Sequence, residues 1–323
     1  MREDPDKVEI QGQVLASDGG RYIDSLSVDI PHAFDDRYRI TSSVLYDREI
    51  SLRYYGLGNN TVADPTLINT SPLYQNVRAG PSFTFQIMRY MGNYIRMGPL
   101  LGLKWTEISA PPGSLLLQQS PLGINGGRTH YLGFAVIRDT LDFEPYPSRG
   151  TWNELYFYLY NHVTGSDYDF TRLSYTFRWY AQLHRKLILA HRTFLEATSG
   201  NVPFYEMMSV GGSQPGSYFG GDRFLRGYDA DRFVGPLKFA TGFELRWDPI
   251  FFTFARQDIT IGFVPFVDVA RVWSTLVPWP LDTFHPALGI GTRIIWNSRF
   301  IIRGDLAVDP EGTGFVVQLG NSF

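Results

Sequence analysis

The sequence contains no cysteine, and this absence excludes disulfide bonds, thiol catalysis and cysteine-ligated metal sites. Charged residues make up only 19% of the 323 residues, whereas a soluble domain usually has about 25%. No stretch approaches the roughly 20 consecutive apolar residues that a membrane-spanning helix requires. The formal net charge is −3, so electrostatics give no reason to expect a nucleic-acid partner.

The short motifs of common active sites are also missing. There is no His-Glu-x-x-His zinc motif, no phosphate-binding P-loop and no Gly-x-Ser-x-Gly nucleophile elbow. The histidines are scattered without a recognisable spacing: His32, His130, His162, His184, His191 and His285. We therefore predict no enzymatic activity and no bound cofactor or metal ion.

Aromatic residues are abundant instead, at 15% of the chain, and they alternate with polar residues. In residues 237–247, 172–179 and 299–309, apolar side chains occupy every second position and ionised or small side chains occupy the others. This period of two predicts strands with one apolar face, for lipid, and one polar face, for a water-filled or polar lumen. Charges on the polar face are expected to be solvated or mutually paired: Arg172, Arg178, Glu154, Arg246, Arg303 and Asp305.

The alternation predicts 14 strands. They cover residues 7–16, 22–31, 38–56, 74–91, 93–108, 128–140, 151–162, 168–182, 186–198, 237–249, 258–273, 285–296, 298–309 and 313–323. A further turn at residues 46–48 would raise the number, so we predict an even number between 14 and 16. These segments have about ten residues, the length that crosses a bilayer at a tilt, whereas the strands of a soluble β-sandwich have about 5–6.

The connections alternate between short and long. The turns at 92–93, 184–185 and 297–298 are tight, whereas the connections 57–73, 109–127, 199–236 and 274–284 are long. Outer-membrane barrels have short periplasmic turns and long extracellular loops. We therefore predict one domain, residues 1–323, that forms a transmembrane antiparallel β-barrel with a short N-terminal tail at residues 1–6 and both termini in the periplasm.

The longest connection, 199–236, contains GGDRFLRGYDADRF at residues 220–233. This segment resembles the signature loop of the BamA/TamA-like bacterial surface antigen superfamily, in which an Arg-Gly-aromatic tip follows a glycine pair. The matching residues are Gly220, Gly221, Arg226, Gly227 and Tyr228.

Other segments resemble the same superfamily in the same order along the chain. They are YYGLGNN at 54–60, the turn at 138–152, FVDVARVW at 266–273 with Ala270 in place of the usual glycine, and GIGTR at 289–293. The chain end resembles the C-terminal assembly signal of these barrels, and four residues of it are expected to share one face: Phe315, Val317, Leu319 and Phe323. Together these matches cover nearly the whole chain.

The resemblance implies that the signature loop folds into the lumen and that its arginine pairs with the strand aspartate. In this sequence the pair is Arg226 and Asp268, with Glu244 as a second acidic partner within reach. A guanidinium removed from water needs a carboxylate, and its planar fork allows two charge-assisted hydrogen bonds. The small residues Ala270 and Gly289 would leave room for the loop backbone.

Members of this superfamily insert or pass polypeptides at the outer membrane of Gram-negative bacteria, and the resemblance implies such a role here. In that role, a weak seam between the first and last strands would open to pass the polypeptide into the lipid. Gly320 weakens packing in the last strand, which is compatible with such a seam. The expected partners are outer-membrane lipids and lipopolysaccharide, a polypeptide client, and a homo-oligomer or a periplasmic partner.

Two further interpretations stay open at this point. The first is a passive diffusion channel, and the second is a barrel-only structural or interaction protein that acts in a complex or as a homo-oligomer. Family members usually carry POTRA domains before the barrel, and residues 1–6 are too few to form one. The inserted loop favours a plugged lumen and therefore the assembly or translocation role over the channel.

Overall fold

The computed structural model describes residues 8–17, 20–213, 218–275 and 280–323. The predicted N-terminal tail, residues 1–6, lies outside the described residues. Within them, no helix is both long and apolar enough to cross a membrane. The chain forms one antiparallel sheet in which neighbouring strands follow the order of the sequence.

The first half of the sheet consists of β1 (Glu9–Ala16), β2 (Tyr22–His32), β3 (Tyr38–Arg53), β4 (Gln75–Met91), β5 (Ile95–Ser109), β6 (Gly127–Arg128), β7 (Tyr131–Asp139) and β8 (Gly150–Tyr160). The second half consists of β9 (Phe170–His184), β10 (Leu187–Gly200), β11 (Leu237–Phe254), β12 (Gln257–Trp273), β13 (His285–Trp296), β14 (Phe300–Asp309) and β15 (Gly312–Leu319). The helical segments are all short: α1 (Ala33–Asp36), α2 (Pro65–Thr70), α3 (Leu115–Gln119), α4 (Phe204–Met208), and single 3-10 turns at Pro72–Tyr74 and His162–Thr164.

The predicted all-β fold of antiparallel strands in one sheet is confirmed. Every strand except β6 lies on one continuous path from β1 to β15, and β6 pairs with β5 beside that path. The turn considered at residues 46–48 does not form, because β3 continues through it with a shift of register toward β4 between Glu49 and Leu52. The predicted strand 128–140 is divided, and Thr129 and His130 separate β6 from β7.

Burial alternates along most strands as the period of two requires, whereas β1 is exposed along its whole length. In β8 the side chains of Trp152, Glu154 and Tyr156 are buried, whereas those of Leu155 and Phe157, on the opposite face of the strand, are exposed. The same alternation along the other long strands gives the sheet an apolar outer face and a polar inner face. Exposed leucine and phenylalanine over so many strands match a hydrocarbon environment and not water.

The two ends of the sheet are β1 and β15, and in the described part of the chain no hydrogen-bonded ladder joins them. After Leu319 the backbone enters the left-handed region at Gly320, with φ of 83°. The chain then turns inward, so Phe323 is only 5% exposed while Phe315 is 70% exposed. Phe323 therefore does not share the outward face that was expected for it together with Phe315 and Val317.

Candidate functional site on the inner face

The connection between β10 and β11 spans residues 201–236, and its described residues lie against the inner face of the sheet. Many of its apolar side chains are almost fully buried: Phe204, Tyr205, Phe219, Leu225, Phe233 and Val234. A β-bridge between Gly220 and Ala230 closes a short turn within this connection. Arg226 lies in that turn, where it contacts β12 and β14.

Arg226 is fully buried and makes a two-pronged contact with Asp268 of β12. Its Nε donates to Asp268 Oδ2 at 2.7 Å and its Nη2 donates to Asp268 Oδ1 at 2.9 Å. The backbone N–H of Arg226 also donates to Asp268 Oδ2, at 3.2 Å. The side chain and the backbone of the same residue are thus fixed by one carboxylate.

The remaining nitrogen of Arg226 faces two other strands. Its Nη1 donates to Glu244 Oε1 of β11 at 2.7 Å and lies 3.5 Å from Asp305 Oδ2 of β14. The guanidinium carbon lies 3.5 Å from the ring centroid of Phe266, which precedes Asp268 by two positions on β12. The structure therefore brings Arg226, Asp268 and Glu244 together and adds Asp305.

A wider network surrounds these carboxylates. Arg246 Nε donates to Glu244 at 2.9 Å, and Arg293 Nη1 and Arg303 Nη1 donate to Asp305 at 2.5 and 2.8 Å. Arg303 also lies 3.3 Å from Asp222 of the β10–β11 connection. Four guanidinium groups are thereby balanced by four carboxylates: Arg226, Arg246, Arg293 and Arg303 against Asp222, Glu244, Asp268 and Asp305.

Glycine residues on neighbouring strands make space for the two aspartates. Gly242 of β11 stands opposite Asp268, and Gly291 of β13 stands opposite Asp305. A Cβ on Gly242 would lie 2.6 Å from Asp268 Oδ1, and a Cβ on Gly291 would lie 2.1 Å from Asp305 Oδ1. Either aspartate would have to move if these glycines carried side chains.

The other residues of the predicted signature occupy defined places. A Cβ on Gly221 would lie 3.3 Å from Ala230. Gly227 adopts φ of 110°, and a Cβ there would lie 2.7 Å from a carboxylate oxygen of Asp309. The ring of Tyr228 is buried beside Phe233, at 5.4 Å between centroids.

The C-terminal residues join the same network. Ser322 Oγ donates to Glu244 Oε1 at 2.6 Å, and Arg246 Nη2 donates to the main-chain oxygen of Phe323 at 2.8 Å. The Phe323 ring lies 4.8 Å from the guanidinium carbon of Arg192. Glu244 is therefore shared by the tip of the β10–β11 connection and the end of the chain.

A second buried charge cluster, which was not predicted from the sequence, lies at α4. Glu206 accepts hydrogen bonds from Lys104 Nζ at 2.7 Å, Arg172 Nη2 at 2.8 Å and Thr129 Oγ1 at 2.9 Å. Burial by itself raises the pKa of the Glu206 carboxyl, but the Lys104 ammonium and the Arg172 guanidinium outweigh it and lower the pKa to about 2. The alternation of apolar and polar residues that marks the strands does not extend into α4. The sequence therefore does not indicate which surface the Glu206 side chain contacts.

Asp231 is a second residue that the sequence reasoning missed. It is fully buried, its backbone adopts φ of 58°, and neither carboxylate oxygen has a hydrogen-bond partner among the described residues. Burial raises the pKa of this carboxyl to about 8, although Arg78 and Lys238 act in the opposite direction. In the part of the chain that the structure describes, no group of three or more metal-ligating side chains could hold a metal ion.

The architecture and the Arg226 network can be compared with known proteins. Residues 15–323 match the family model of the Omp85 superfamily domain. The chain belongs to the Omp85 superfamily. Omp85 barrels reside in outer membranes, the superfamily is involved in the assembly and translocation of outer-membrane proteins, and its barrels are generally non-enzymatic.

A solved structure supports the fold of this Omp85 chain. The chain is similar to the crystal structure of BamA from Haemophilus ducreyi lacking POTRA domains 1–3, with a TM-score of 0.58 and 16% sequence identity. The match covers 97% of this chain and 64% of that structure, so the chain spans less than two thirds of its length. No curated protein matches this Omp85 chain significantly by sequence.

Proposed function

We propose that this barrel takes part in the insertion or passage of polypeptides at the outer membrane of a Gram-negative bacterium. The observation that carries the proposal is the pair of sheet ends, β1 and β15, which share no ladder among the described residues. An unpaired strand edge presents a row of backbone donors and acceptors that a new strand can use as a template.

The Arg226 network suits a barrel that opens at one place and stays rigid elsewhere. It ties the β10–β11 connection to β11, β12 and β14 through Glu244, Asp268 and Asp305, all buried. A protein loses much of its folding stability when one partner of such a deeply buried ion pair is removed. The network would therefore hold the last strands of the sheet in place while an edge accepts a client.

The surroundings proposed for the barrel follow from its two faces. The apolar outer face would contact outer-membrane lipids and lipopolysaccharide, and the client would be a polypeptide with strands to complete. As further partners we propose a second copy of this barrel or a periplasmic protein.

The test is reconstitution of the purified chain in lipid vesicles with an unfolded outer-membrane barrel as client. Since the chain has no cysteine, a disulfide between one cysteine introduced in β1 and one in β15 would close the seam unambiguously. We expect the disulfide to stop client insertion and its reduction to restore it, whereas two cysteines placed within β8 and β9 should have no effect. Unchanged insertion through a locked seam would overturn the proposal.

A passive channel is the second candidate, favoured by a cavity of about 510 Å³ on the inner face. Its lining includes Arg39, Arg178 and Glu144, which would suit hydrated ions. Single-channel conductance in a planar bilayer separates the two functions. Large, steady currents that do not change in Arg226→Ala would favour the channel, and small, flickering currents that grow in this variant would favour the assembly role.

A further inference from the structure

Arg232 has a side chain in which every nitrogen is engaged, yet it lies outside the network of Arg226. Its Nε lies 2.9 and 2.7 Å from the two carboxylate oxygens of Glu311, and its Nη2 donates to Glu311 Oε1 at 2.6 Å. Its Nη1 donates to Thr61 Oγ1 and its Nη2 also donates to the carbonyl of Thr61, both at 2.6 Å. One guanidinium therefore bridges two other segments of the chain.

The two segments that Arg232 joins belong to opposite ends of the sheet. Thr61 follows β3, the third strand from the first end, whereas Glu311 lies in the turn between β14 and β15, the last two strands. Between these segments lies the place where β1 and β15 share no ladder among the described residues. The contact thus crosses the seam on the side of the long connections.

Neighbouring contacts reinforce the N-terminal half of this bridge. The backbone N–H of Gly58 donates to the carbonyl of Val234 at 2.7 Å. Arg53, at the end of β3, donates from Nη1 to Asp229 at 2.5 Å. Residues on both sides of Arg232 are thereby tied to the chain that leaves β3.

The C-terminal half of the bridge is a rigid turn. The carboxylate of Asp309 accepts from the backbone N–H groups of Glu311 and Gly312, at 2.6 and 3.0 Å. A side-chain oxygen that caps its own turn in this way restricts the turn backbone. Glu311 is therefore presented to Arg232 from a fixed position.

We propose that Arg232 is a positioning residue that staples the two ends of the sheet together on the long-loop side and so controls how far the seam opens; this inference rests on the proposed function. The Arg232 side chain is only 3% exposed while that of Glu311 is 35% exposed. The guanidinium carbon of Arg232 also lies 4.9 Å from the ring centroid of Tyr55 and 4.6 Å from that of Phe233. Arginine fits here because its planar fork binds a carboxylate with two nitrogens and stacks on rings, which a lysine ammonium cannot do.

The experiment measures the distance across the seam directly. Spin labels are attached to cysteines that replace Ala16, at the end of β1, and Thr313, at the start of β15, both exposed. Pulsed electron paramagnetic resonance then gives their distance distribution in lipid nanodiscs without any client. We expect a narrow distribution in the parent and a broader, longer one in Arg232→Gln and in Glu311→Gln.

Two further variants make the result specific. Exchanging the charges, Arg232→Glu together with Glu311→Arg, should recover part of the narrow distribution. Arg128→Gln is the matched control, because Arg128 of β6 binds Asp167, shortly before β9, through Nε and Nη2 at 3.1 and 2.6 Å. This pair lies in the middle of the sheet and does not cross the seam. This control should leave the distribution as in the parent.

Parent-like distributions in both Arg232→Gln and Glu311→Gln would overturn the staple. Should Arg232→Gln fail to fold, Glu311→Gln and Thr61→Val decide the question, since the first removes the carboxylate charge, the second removes the hydroxyl contact, and both keep the arginine. Failure of the staple and failure of the proposed function give different results. A client-insertion assay that fails in the parent would contradict the function while leaving the measured distances unaffected.

Discussion

At the scale of single residues, the inner face combines full burial with high charge. Arg226 shows how the two are reconciled, because each of its three nitrogens donates to a carboxylate from β11, β12 or β14. Burying a guanidinium without such partners would cost several kcal/mol. The position of this residue is therefore determined by the three strands together and by none of them alone.

Removing one partner of this network should be strongly destabilising. We expect Arg226→Ala and Asp268→Ala each to lower the free energy of unfolding by about 3–5 kcal/mol, because each leaves buried charges unpaired. Urea unfolding in detergent micelles, followed by tryptophan fluorescence, measures this quantity. The double variant should lose much less than the sum, since both substitutions break the same contact.

The control for that measurement is Arg128→Ala, which breaks an ion pair whose side chains are 54% and 38% exposed. An exposed pair contributes about 0–1 kcal/mol. A loss in Arg226→Ala as small as in this control would contradict the role assigned to the buried network.

Asp231 makes the stability of the β10–β11 connection depend on pH. Its pKa in the folded chain is about 8, above the usual 3.8, so the folded state holds a proton that the unfolded state releases. Titration of Asp231 therefore leaves the free energy of unfolding unchanged below pH 3.8 and lowers it as the pH rises from there to about 8. We expect Asp231→Asn to remove this dependence and to stabilise the barrel above pH 8 by about 1–3 kcal/mol.

Urea unfolding repeated from pH 5 to pH 9 tests this expectation. Asp169→Asn is a suitable comparison, because the Asp169 side chain is 65% exposed and lies outside the buried charge clusters. A parallel pH profile in the parent and in Asp231→Asn would show that the carboxyl is not the responsible group.

Residue by residue, the sequence allowed part of this site to be predicted. Arg226, Asp268 and Glu244 were paired in advance, because the resemblance supplied the first two and the strand period placed Glu244 on the same polar face. Asp231 and Glu206 were not predicted. They lie in a connection without period, where only the tertiary structure decides which side chains become buried.

At the scale of elements, the period of two predicted the strands well, since alternating burial is a property of each strand by itself. β13 was predicted with its observed bounds, His285–Trp296. The strand prediction failed where the backbone conformation of a single residue changes the direction of the chain. Residues 313–323 read as one strand, but β15 ends at Leu319 because Gly320 turns the chain inward.

The inward turn at Gly320 gives a prediction for this last element. A Cβ on Gly320 would meet no atom within 4 Å, so Gly320→Val is opposed by its backbone φ of 83° alone. A non-glycine residue in this region costs roughly 1–2 kcal/mol, and valine favours extended backbone. We expect the variant to extend β15 and to draw residues 321–323 out of the inner face.

Thiol labelling reads out this movement. A cysteine that replaces Ser322, which is 0% exposed, should react slowly in the parent background and several-fold faster with Gly320→Val. A cysteine at the exposed Thr313 provides the reference rate. Equal slow rates at residue 322 in both backgrounds would mean that the inward course does not depend on glycine.

At the scale of the whole molecule, the β10–β11 connection occupies the space against the inner face of the sheet. Its described residues contact strands from β3 to β14, through Arg53 with Asp229 at one extreme and Arg303 with Asp222 at the other. This breadth explains why the polar inner face can be so largely buried.

Removal of the β10–β11 connection should convert the barrel into a pore. We expect replacement of residues 202–235 by a short Gly-Ser turn to give larger and steadier single-channel currents than those of the parent. Replacing residues 110–126, another long connection, by a similar turn is the control, and it should change the conductance much less. Similar currents from both deletions would mean that the β10–β11 connection does not obstruct the interior.

The anchors of the β10–β11 connection also imply a sequence of events in time. Its first half, at α4, is held by Lys104, Thr129 and Arg172, which all precede it in the chain. Its tip is held by Asp268 and other residues that follow it. When the strands assemble in chain order, the first half can dock onto strands that precede it, whereas the tip must wait for β12 and β14. Docking of Arg226 would then be a late step in folding, one that registers the arrival of the final strands.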